Sequence, residues 1–247
     1  MERGRALNGS EIRSYPGDLP VELPAELRAG GSVGGIEVAD GRIDGLLAID
    51  TAMGSGVAFG AGSRIYWVAS DDALGHAERI GGLIDRVLEQ AGSAPDAVRG
   101  VVVGIGPGPF TGLRVGIAAA HAFALARRVP LLPLQGHEAV ALAVLEQGAA
   151  SAVRVVQDAR RRELFATEYR GLDWAGVPVR DGEVQLVPRA DYVAASHEVW
   201  PERIPAARLV ELAGRRLAAG HSFEPDQALY MRAPDVKQPG APKRVSG

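Results

Sequence analysis

The order of apolar and polar residues predicts alternating strands and helices from Leu46 onward. A run of four apolar residues from Leu46 precedes Asp50 and Thr51, which is typical of a central strand buried on both faces. Two further strands are predicted at 56–60 and 64–69, with glycine and small residues between them where hairpins would turn. The ordered part of the chain is therefore predicted to open with three strands.

Apolar residues then recur at three- and four-residue spacing between His76 and Ala91, which predicts a helix with one buried stripe. A second buried strand at 100–105 runs directly into a glycine-rich turn and a helix at 112–128. This second helix is small and apolar around most of its circumference. One interpretation buries it within its own domain. The other is that its small residues let a partner helix approach closely.

The pattern repeats in outline after Pro130, which indicates a duplicated architecture. The elements predicted there are helices at 137–147 and 205–219 and strands at 153–157, 163–169 and 183–187.

The pattern also predicts a division of the chain into regions. Residues 1–45 are rich in glycine, proline and charge, and we interpret them as a flexible leader. A first lobe is expected at 46–134, with residues 205–231 packing back on it. A second, smaller lobe is expected at 135–204, and the proline-rich residues 232–247 as a flexible tail.

Composition narrows the classes of function. The chain has 247 residues, a formal net charge of -3 and no cysteine. Its length allows a full hydrophobic core, and the absence of cysteine excludes disulfides and cysteine nucleophiles and fits a reducing compartment. No apolar run has the form of a signal peptide or a membrane span, so we expect a soluble, cytoplasmic protein with no membrane contact. The acidic balance argues against a protein that holds nucleic acid by itself, so any RNA contact is expected to be shared with a partner.

The turn at 106–112 is the main candidate for anion binding, because glycines permit close backbone approach and helix amides point outward. A Walker P-loop would need Lys and Ser or Thr after its last glycine, whereas Leu113 and Arg114 follow here. Two prolines also remove amide donors, so a rigid structural turn is the favoured interpretation. The weak candidate set for a nucleotide or anion is Asp50, Thr51, Gly106, Gly108, Thr111 and Gly112.

Asp50 leaves two interpretations open. It ends a buried strand, where a carboxylate can approach a metal-bound nucleotide, or it and Thr51 satisfy backbone donors at the strand end. The five histidines form no HxxxH or HExxH pair, so no metal site is predicted. No GxSxG turn is present either, so neither a hydrolase nor a peptidase mechanism has a predicted nucleophile.

Five segments together resemble the TsaB family in order and spacing. The turn motif is highly specific, whereas the Asp-Thr and Asp-Ala-Arg segments are distinctive only in combination with it. The matching segments are LLAIDTA at 46–52, GHAERIGGLIDRVL at 75–88, GIGPGPFTGLRVGIAAA at 104–120, QDARRRELF at 157–165 and ALYMRAPDVKQPGAPKR at 228–244.

The resemblance implies an α/β, actin-like or Hsp70-like (ASKHA) fold of two RNase H-like lobes. It also implies a non-catalytic subunit in the synthesis of N6-threonylcarbamoyladenosine at position 37 of tRNA. The implied partners are the catalytic paralogue TsaD, which transfers the threonylcarbamoyl group and carries an HxxxH metal motif, and the ATPase TsaE. No cofactor of its own is implied, with ATP and Mg²⁺ expected at the level of the complex. The alternative is an independent ATP-dependent phosphotransferase of the same superfamily.

The resemblance further implies that the helices beginning near His76 and Gly112 bind the paralogue. The small-residue face of the second helix is itself expected to find a partner, and for the free chain that partner would be a second copy. Pro109 stands where many family members have Ser, which weakens a phosphate role for the turn. Members usually begin at the first strand, so residues 1–45 are expected to be an extension or an overlong gene start. The implied interface residues are His76, Ile80, Leu83, Arg114, Gly116, Ala119, Ala122 and Phe123.

Overall fold

A computed structural model of the chain describes residues 27–28, 33–38, 41–71, 76–148 and 150–231. The predicted tail at 232–247 and most of the predicted leader lie outside these ranges. The side chain of His76 also lies outside them, although its backbone begins a helix.

The first sheet has six strands in the order β1-β4-β3-β2-β5-β6. The pairs β1–β4, β4–β3 and β3–β2 are antiparallel, whereas β5 pairs parallel with both β2 and β6. Parallel neighbours need a crossover connection, and a helix lies in the connection that precedes β5 and in the one between β5 and β6. The strands are β1 (Val33–Glu37), β2 (Leu46–Asp50), β3 (Ser55–Ala61), β4 (Arg64–Ser70), β5 (Gly100–Gly104) and β6 (Leu131–Leu134).

Strand β1 corrects the prediction that order begins at Leu46. It lies inside the predicted leader and pairs antiparallel with β4, and Leu27 and Ile43 are also buried. The strand has two glycines, which weaken the alternating pattern that predicts strands. Glycine is needed at position 34, because a Cβ there would overlap the indole of Trp67.

Two helix layers cover the two faces of the first sheet. Helices α1 (His76–Gln90) and α2 (Phe110–Arg127) pack on the face that carries Leu47 and Ile49. Helices α3 (Gly136–Leu145) and α4 (Ala206–Ala219) lie on the opposite side, against Leu46 and Ala48. The central strands β2 and β5 are therefore buried on both faces, as their continuous apolar character predicts.

The second sheet has the order β10-β8-β7-β11, with β9 paired to β8. Every residue of α3 is buried, because the helix lies between this sheet and α4. Strand β11 is only two residues long, and β6 contains a proline that an edge strand tolerates, so neither was predicted. The strands are β7 (Val153–Asp158), β8 (Glu163–Leu172), β9 (Pro178–Arg180), β10 (Gln185–Pro188) and β11 (Glu198–Val199).

Candidate partner interface and central cleft

The glycine turn joins β5 to α2 and packs closely against the end of β2. Gly106 has a φ of +110°, which a side chain would strain. A Cβ at Gly108 would lie 2.8 Å from the Cβ of Ala52, and a Cβ at Gly112 would lie 2.6 Å from the carbonyl oxygen of Thr51. The glycines thus serve contacts within the chain, and the turn fixes the start of α2 against β2.

Thr51 is inserted into the first turns of α2. Its hydroxyl donates to the carbonyl oxygen of Gly112 at 2.6 Å and accepts from the amide of Gly116 at 3.0 Å. This carbonyl and amide are four residues apart, the spacing at which helical groups normally bond to each other. Thr51 therefore ties β2 to α2 through backbone groups, as the structural interpretation of the strand end expects.

Asp50 is enclosed, with 2% of its surface exposed. Its Oδ1 accepts a hydrogen bond from the amide of Ala52 at 2.9 Å, and its Oδ2 is buried without a hydrogen-bond partner in the described structure. Gly104 lies beside this carboxyl, where a Cβ would overlap Oδ2. Burial raises the pKa of Asp50 from 3.8 to about 6, since the charged form loses its hydration.

The raised pKa of Asp50 makes the stability of the protein depend on pH. Between pH 3.8 and about 6 the folded state holds a proton that the unfolded state releases, so the free energy of unfolding falls as pH rises. The total fall attributable to this group is about 3 kcal/mol, and it is complete above the folded pKa. We expect Asp50→Asn to remove this fall, as measured by urea unfolding from about pH 4 to about pH 7. An unchanged pH dependence in the variant would contradict the assignment.

A cleft of about 460 Å³ opens between the turn and the second sheet. Thr51, Thr111 and Gly112 of the predicted anion set line it, whereas Asp50, Gly106 and Gly108 do not. The other lining includes three acidic residues and one arginine, namely Asp71, Asp158, Glu202 and Arg160. Nucleotide binding in this cleft stays a prediction.

The histidine side chains that the structure describes do not meet at a metal centre. Among the described residues, no three His, Asp or Glu side chains converge in a way that could hold a metal ion. His137 is fully buried, with Nδ1 2.8 Å from the Thr167 hydroxyl and Nε2 3.0 Å from Gln157 Oε1. Burial lowers the pKa of His137 to about 4, which keeps the ring neutral as a core residue.

The structure places five residues of the predicted partner set in packing within the chain. Ile80 and Leu83 are buried in the core between α1 and the first sheet. Gly116 faces Thr51, where a Cβ would overlap the hydroxyl. Ala119 and Phe123 are partly buried against the same core. These five residues lie on the helix stripes that pack on the first sheet, so they contribute wholly or partly to packing within the chain.

Arg114 and Ala122 are the predicted residues that face solvent, and they lie on a larger exposed surface. We call this surface the α1–α2 outer face. On α2 its most exposed large residue is Leu125, with 80% of its surface accessible. The full set is Gly81, Gly82, Asp85, Arg86 and Glu89 on α1 and Arg114, Ala118, Ala122, Leu125 and Ala126 on α2.

Sequence reasoning missed Gly81 and Gly82. A Cβ at either position would have no atom within 4 Å, so the chain itself has no need for glycine there. Two adjacent glycines in the middle of an amphipathic helix were the available signal, because glycine costs about 1 kcal/mol relative to alanine at such positions.

The C-terminal residues of the described chain cover the glycine turn. The amide of Leu229 donates to the carbonyl of Ile105 at 2.8 Å, and the rings of Tyr230 and Phe110 are 4.8 Å apart. Arg114 also lies over Phe110, with its guanidinium carbon 4.4 Å from the ring centre. This contact fixes Arg114 at one end of the α1–α2 outer face.

The fold places the protein in a known class. A solved structure of YeaZ from Pseudomonas aeruginosa superposes with a TM-score of 0.65 at 24% identity, covering 75% of this chain and 99% of that one. Two sheets with this helix arrangement confirm the predicted α/β, actin-like or Hsp70-like (ASKHA) fold. In the parts of the chain that the structure describes, no helix has the length and apolarity needed to cross a bilayer.

Sequence comparisons then give the family. A protein of Mycobacterium tuberculosis is 31% identical over 172 residues, which span 67% of this chain and 79% of that protein. The tRNA threonylcarbamoyladenosine biosynthesis protein TsaB of Haemophilus influenzae is 34% identical over 93 residues, or 38% of this chain and 39% of that one. The profile described as TsaD, tRNA N6-adenosine threonylcarbamoyltransferase, matches residues 70–176. The chain belongs to the TsaB family.

Coverage of the relatives is uneven. A Mycobacterium leprae protein is 37% identical over 141 residues, which are 54% of this chain but 38% of that protein. The chain thus matches well under half the length of this relative and of the named TsaB proteins.

Proposed function

We propose that this protein is a non-catalytic subunit of the assembly that makes N6-threonylcarbamoyladenosine at position 37 of tRNA. In this proposal it binds and activates a TsaD-type transferase through the α1–α2 outer face. The observation that carries the proposal is a pair of exposed glycines, Gly81 and Gly82, beside the exposed apolar surface of α2.

The glycine pair favours a helical partner. Without side chains at Gly81 and Gly82, another helix can approach the backbone of α1 more closely than alanine would allow. The two glycines together cost about 2 kcal/mol of helix stability relative to alanine. No contact within the described chain accounts for this cost, since a Cβ at either glycine would have no atom within 4 Å. A closely packed partner helix does account for it.

The α2 side of the face supplies the apolar area. Ala118, Ala122 and Leu125 follow one another at three- and four-residue spacing, so they form one exposed stripe. Large exposed apolar residues gathered on one face mark interaction surfaces. Asp85, Arg86 and Glu89 lie across from this stripe on α1, where charged residues at an interface rim favour one partner over others.

Two features support a non-catalytic role. The resemblance assigns an HxxxH metal motif to the catalytic paralogue, and no two of the five histidines here have that spacing. Asp50, on which the phosphotransferase alternative rests, is enclosed and does not line the cleft. Calorimetry with ATP and Mg²⁺ separates the two functions. Tight binding by the isolated chain would favour the phosphotransferase, and absent or millimolar binding would favour the subunit.

Co-expression with the TsaD-type paralogue of the same genome tests the proposal. We expect a stable complex in size-exclusion chromatography, with light scattering to give its mass. The free chain is expected to self-associate through the same face, and the paralogue should displace this homodimer. If the two proteins elute separately and the paralogue modifies tRNA equally well without this chain, the proposed function is wrong.

A further inference from the structure

The turn between β7 and β8 carries three consecutive arginines in an unusual backbone conformation. Arg160, Arg161 and Arg162 have φ angles of 63°, 53° and 62°. Residues with a Cβ avoid this left-handed region at a cost of roughly 1–2 kcal/mol each. Such strain persists only where the surrounding structure imposes it, and it concentrates at functional sites.

Hydrogen bonds hold this conformation in place. The amide of Arg160 donates to Asp158 Oδ1 at 2.7 Å, and the amide of Glu163 donates to the carbonyl of Arg160 at 3.0 Å. The amide of Arg189 donates to the carbonyl of Arg162 at 2.7 Å, which joins the segment after β10 to the turn. The strained turn is therefore a built feature of the second sheet. We call residues 158–163 together with Arg189 the arginine hairpin.

The arginines of the arginine hairpin line two open spaces. Arg160 lines the central cleft, whereas Arg161, Arg162 and Arg189 line a separate groove of about 750 Å³. All four arginines are exposed. Arg189 also lies over Trp200, with its guanidinium carbon 6.0 Å from the ring centre. This contact and the backbone bond to Arg162 hold Arg189 beside the turn.

The groove is the basic side of the hairpin in a chain that is acidic as a whole. Three arginines, Arg161, Arg162 and Arg189, line it with one carboxylate, Glu163, whereas Arg160 lies in the cleft among Asp71, Asp158 and Glu202. Asp158 is shared between the Arg160 amide and the Arg189 guanidinium, 3.4 Å from its Oδ2. Successive side chains of a helical turn point in different directions, so the three arginines cannot all converge on one small anion. The arrangement suits an extended polyanion.

We infer that the arginine hairpin binds the phosphodiester backbone of RNA. This inference rests on the proposed function, which supplies tRNA as the extended polyanion that the assembly handles. Guanidinium groups make paired hydrogen bonds to phosphate oxygens, and the groove beside Arg161 and Arg162 is open to a strand. The hairpin thus gives the second lobe a role in holding tRNA while the α1–α2 outer face binds the transferase.

The test measures the affinity of a fluorescent, unmodified tRNA transcript as a function of salt. Two samples are needed: the isolated chain at low salt and the chain assembled with the TsaD-type paralogue. The first variant carries three substitutions, Arg161→Ser, Arg162→Ser and Arg189→Ser. The second variant is Arg189→Ala, which leaves the strained turn intact. The matched control is Arg170→Ser, an exposed arginine of β8 about 25 Å further along the strand.

We expect the triple variant to weaken tRNA binding at least about tenfold at about 0.15 M salt, and to lower the slope of log affinity against log salt by about 2. Arg189→Ala should lower that slope by about 1 with the fold unchanged. Affinity and slope at wild-type values in both variants, or an equal loss in Arg170→Ser, would overturn the inference. Tighter binding of polyglutamate than of tRNA would also overturn it, in favour of an acidic protein partner.

The two samples separate the failure of this inference from the failure of the proposed function. If no complex forms, the proposed function is wrong, and the isolated chain still decides whether the hairpin binds RNA. If the complex forms and the triple variant binds tRNA as the wild type does, only the inference about the hairpin is wrong.

Discussion

Replacing Leu125 with arginine is expected to weaken the complex with the TsaD-type paralogue at least about 100-fold. Leu125 lies in the exposed α2 stripe and is 80% accessible, so its side chain is available to a partner. Loss of a central apolar contact costs about 2 kcal/mol or more, and an unpaired charge buried in its place adds to the loss. The measurement is the dissociation constant from surface plasmon resonance or calorimetry.

Val193→Arg is the matched control for this experiment. Val193 is 78% exposed, so the substitution puts the same charge in place of an equally accessible apolar side chain, on the second lobe. Both variants should fold with nearly wild-type stability, because substitutions at exposed positions usually change it by less than about 0.5 kcal/mol. Equal affinities for wild type and Leu125→Arg would show that the partner binds elsewhere.

Gly116→Ala is expected to destabilise the protein by about 2–4 kcal/mol, although alanine is the better helix former. The added Cβ would overlap the hydroxyl of Thr51, which bridges Gly112 and Gly116. Either the hydroxyl leaves its two buried backbone partners or α2 moves away from β2, and both responses cost free energy. The measurement is the free energy of unfolding from urea denaturation.

Gly82→Ala is the control in the other direction. Gly82 lies in a helix as Gly116 does, but a Cβ at Gly82 would meet no atom within 4 Å. The substitution should therefore stabilise the free chain by up to about 1 kcal/mol. A double-mutant cycle adds a second check, because Thr51→Ala removes the overlapping hydroxyl and should cost less in the Gly116→Ala background than in the wild type. Similar changes in stability for Gly82→Ala and Gly116→Ala would contradict the packing described for Thr51.

The sequence predicts most of the elements that form the first sheet and its helices. The apolar run at β2 and the periodic stripe of α1 both form the predicted elements, close to the predicted bounds. Strand β1 could not be predicted, because its glycines break the strand pattern and Gly34 is explained only by Trp67 on the neighbouring strand. Contacts between residues that are far apart in the sequence do not produce a periodic pattern in either segment, so the sequence alone does not reveal them.

The partner surface was predicted on helices α1 and α2. Some of the residues chosen on each helix lie on the side that packs on the first sheet. Helix α2 is apolar nearly all round, so its periodicity does not distinguish the sheet side from the solvent side. The direction becomes clear only when Thr51 is seen to occupy the space beside Gly112 and Gly116. On α1 the apolar stripe that includes Ile80 and Leu83 identifies the core, and the interface was predicted on that same stripe.

Cysteine footprinting tests most directly whether the α1–α2 outer face binds the catalytic paralogue. The chain has no cysteine, so Ala122→Cys and Val193→Cys each introduce the only thiol of this subunit, one on the face and one on the second lobe. We predict that a saturating amount of a cysteine-free form of the paralogue slows maleimide labelling of Ala122→Cys at least about tenfold and leaves Val193→Cys unchanged. Labelling of Ala122→Cys at the same rate in the free chain and in the complex would contradict the account.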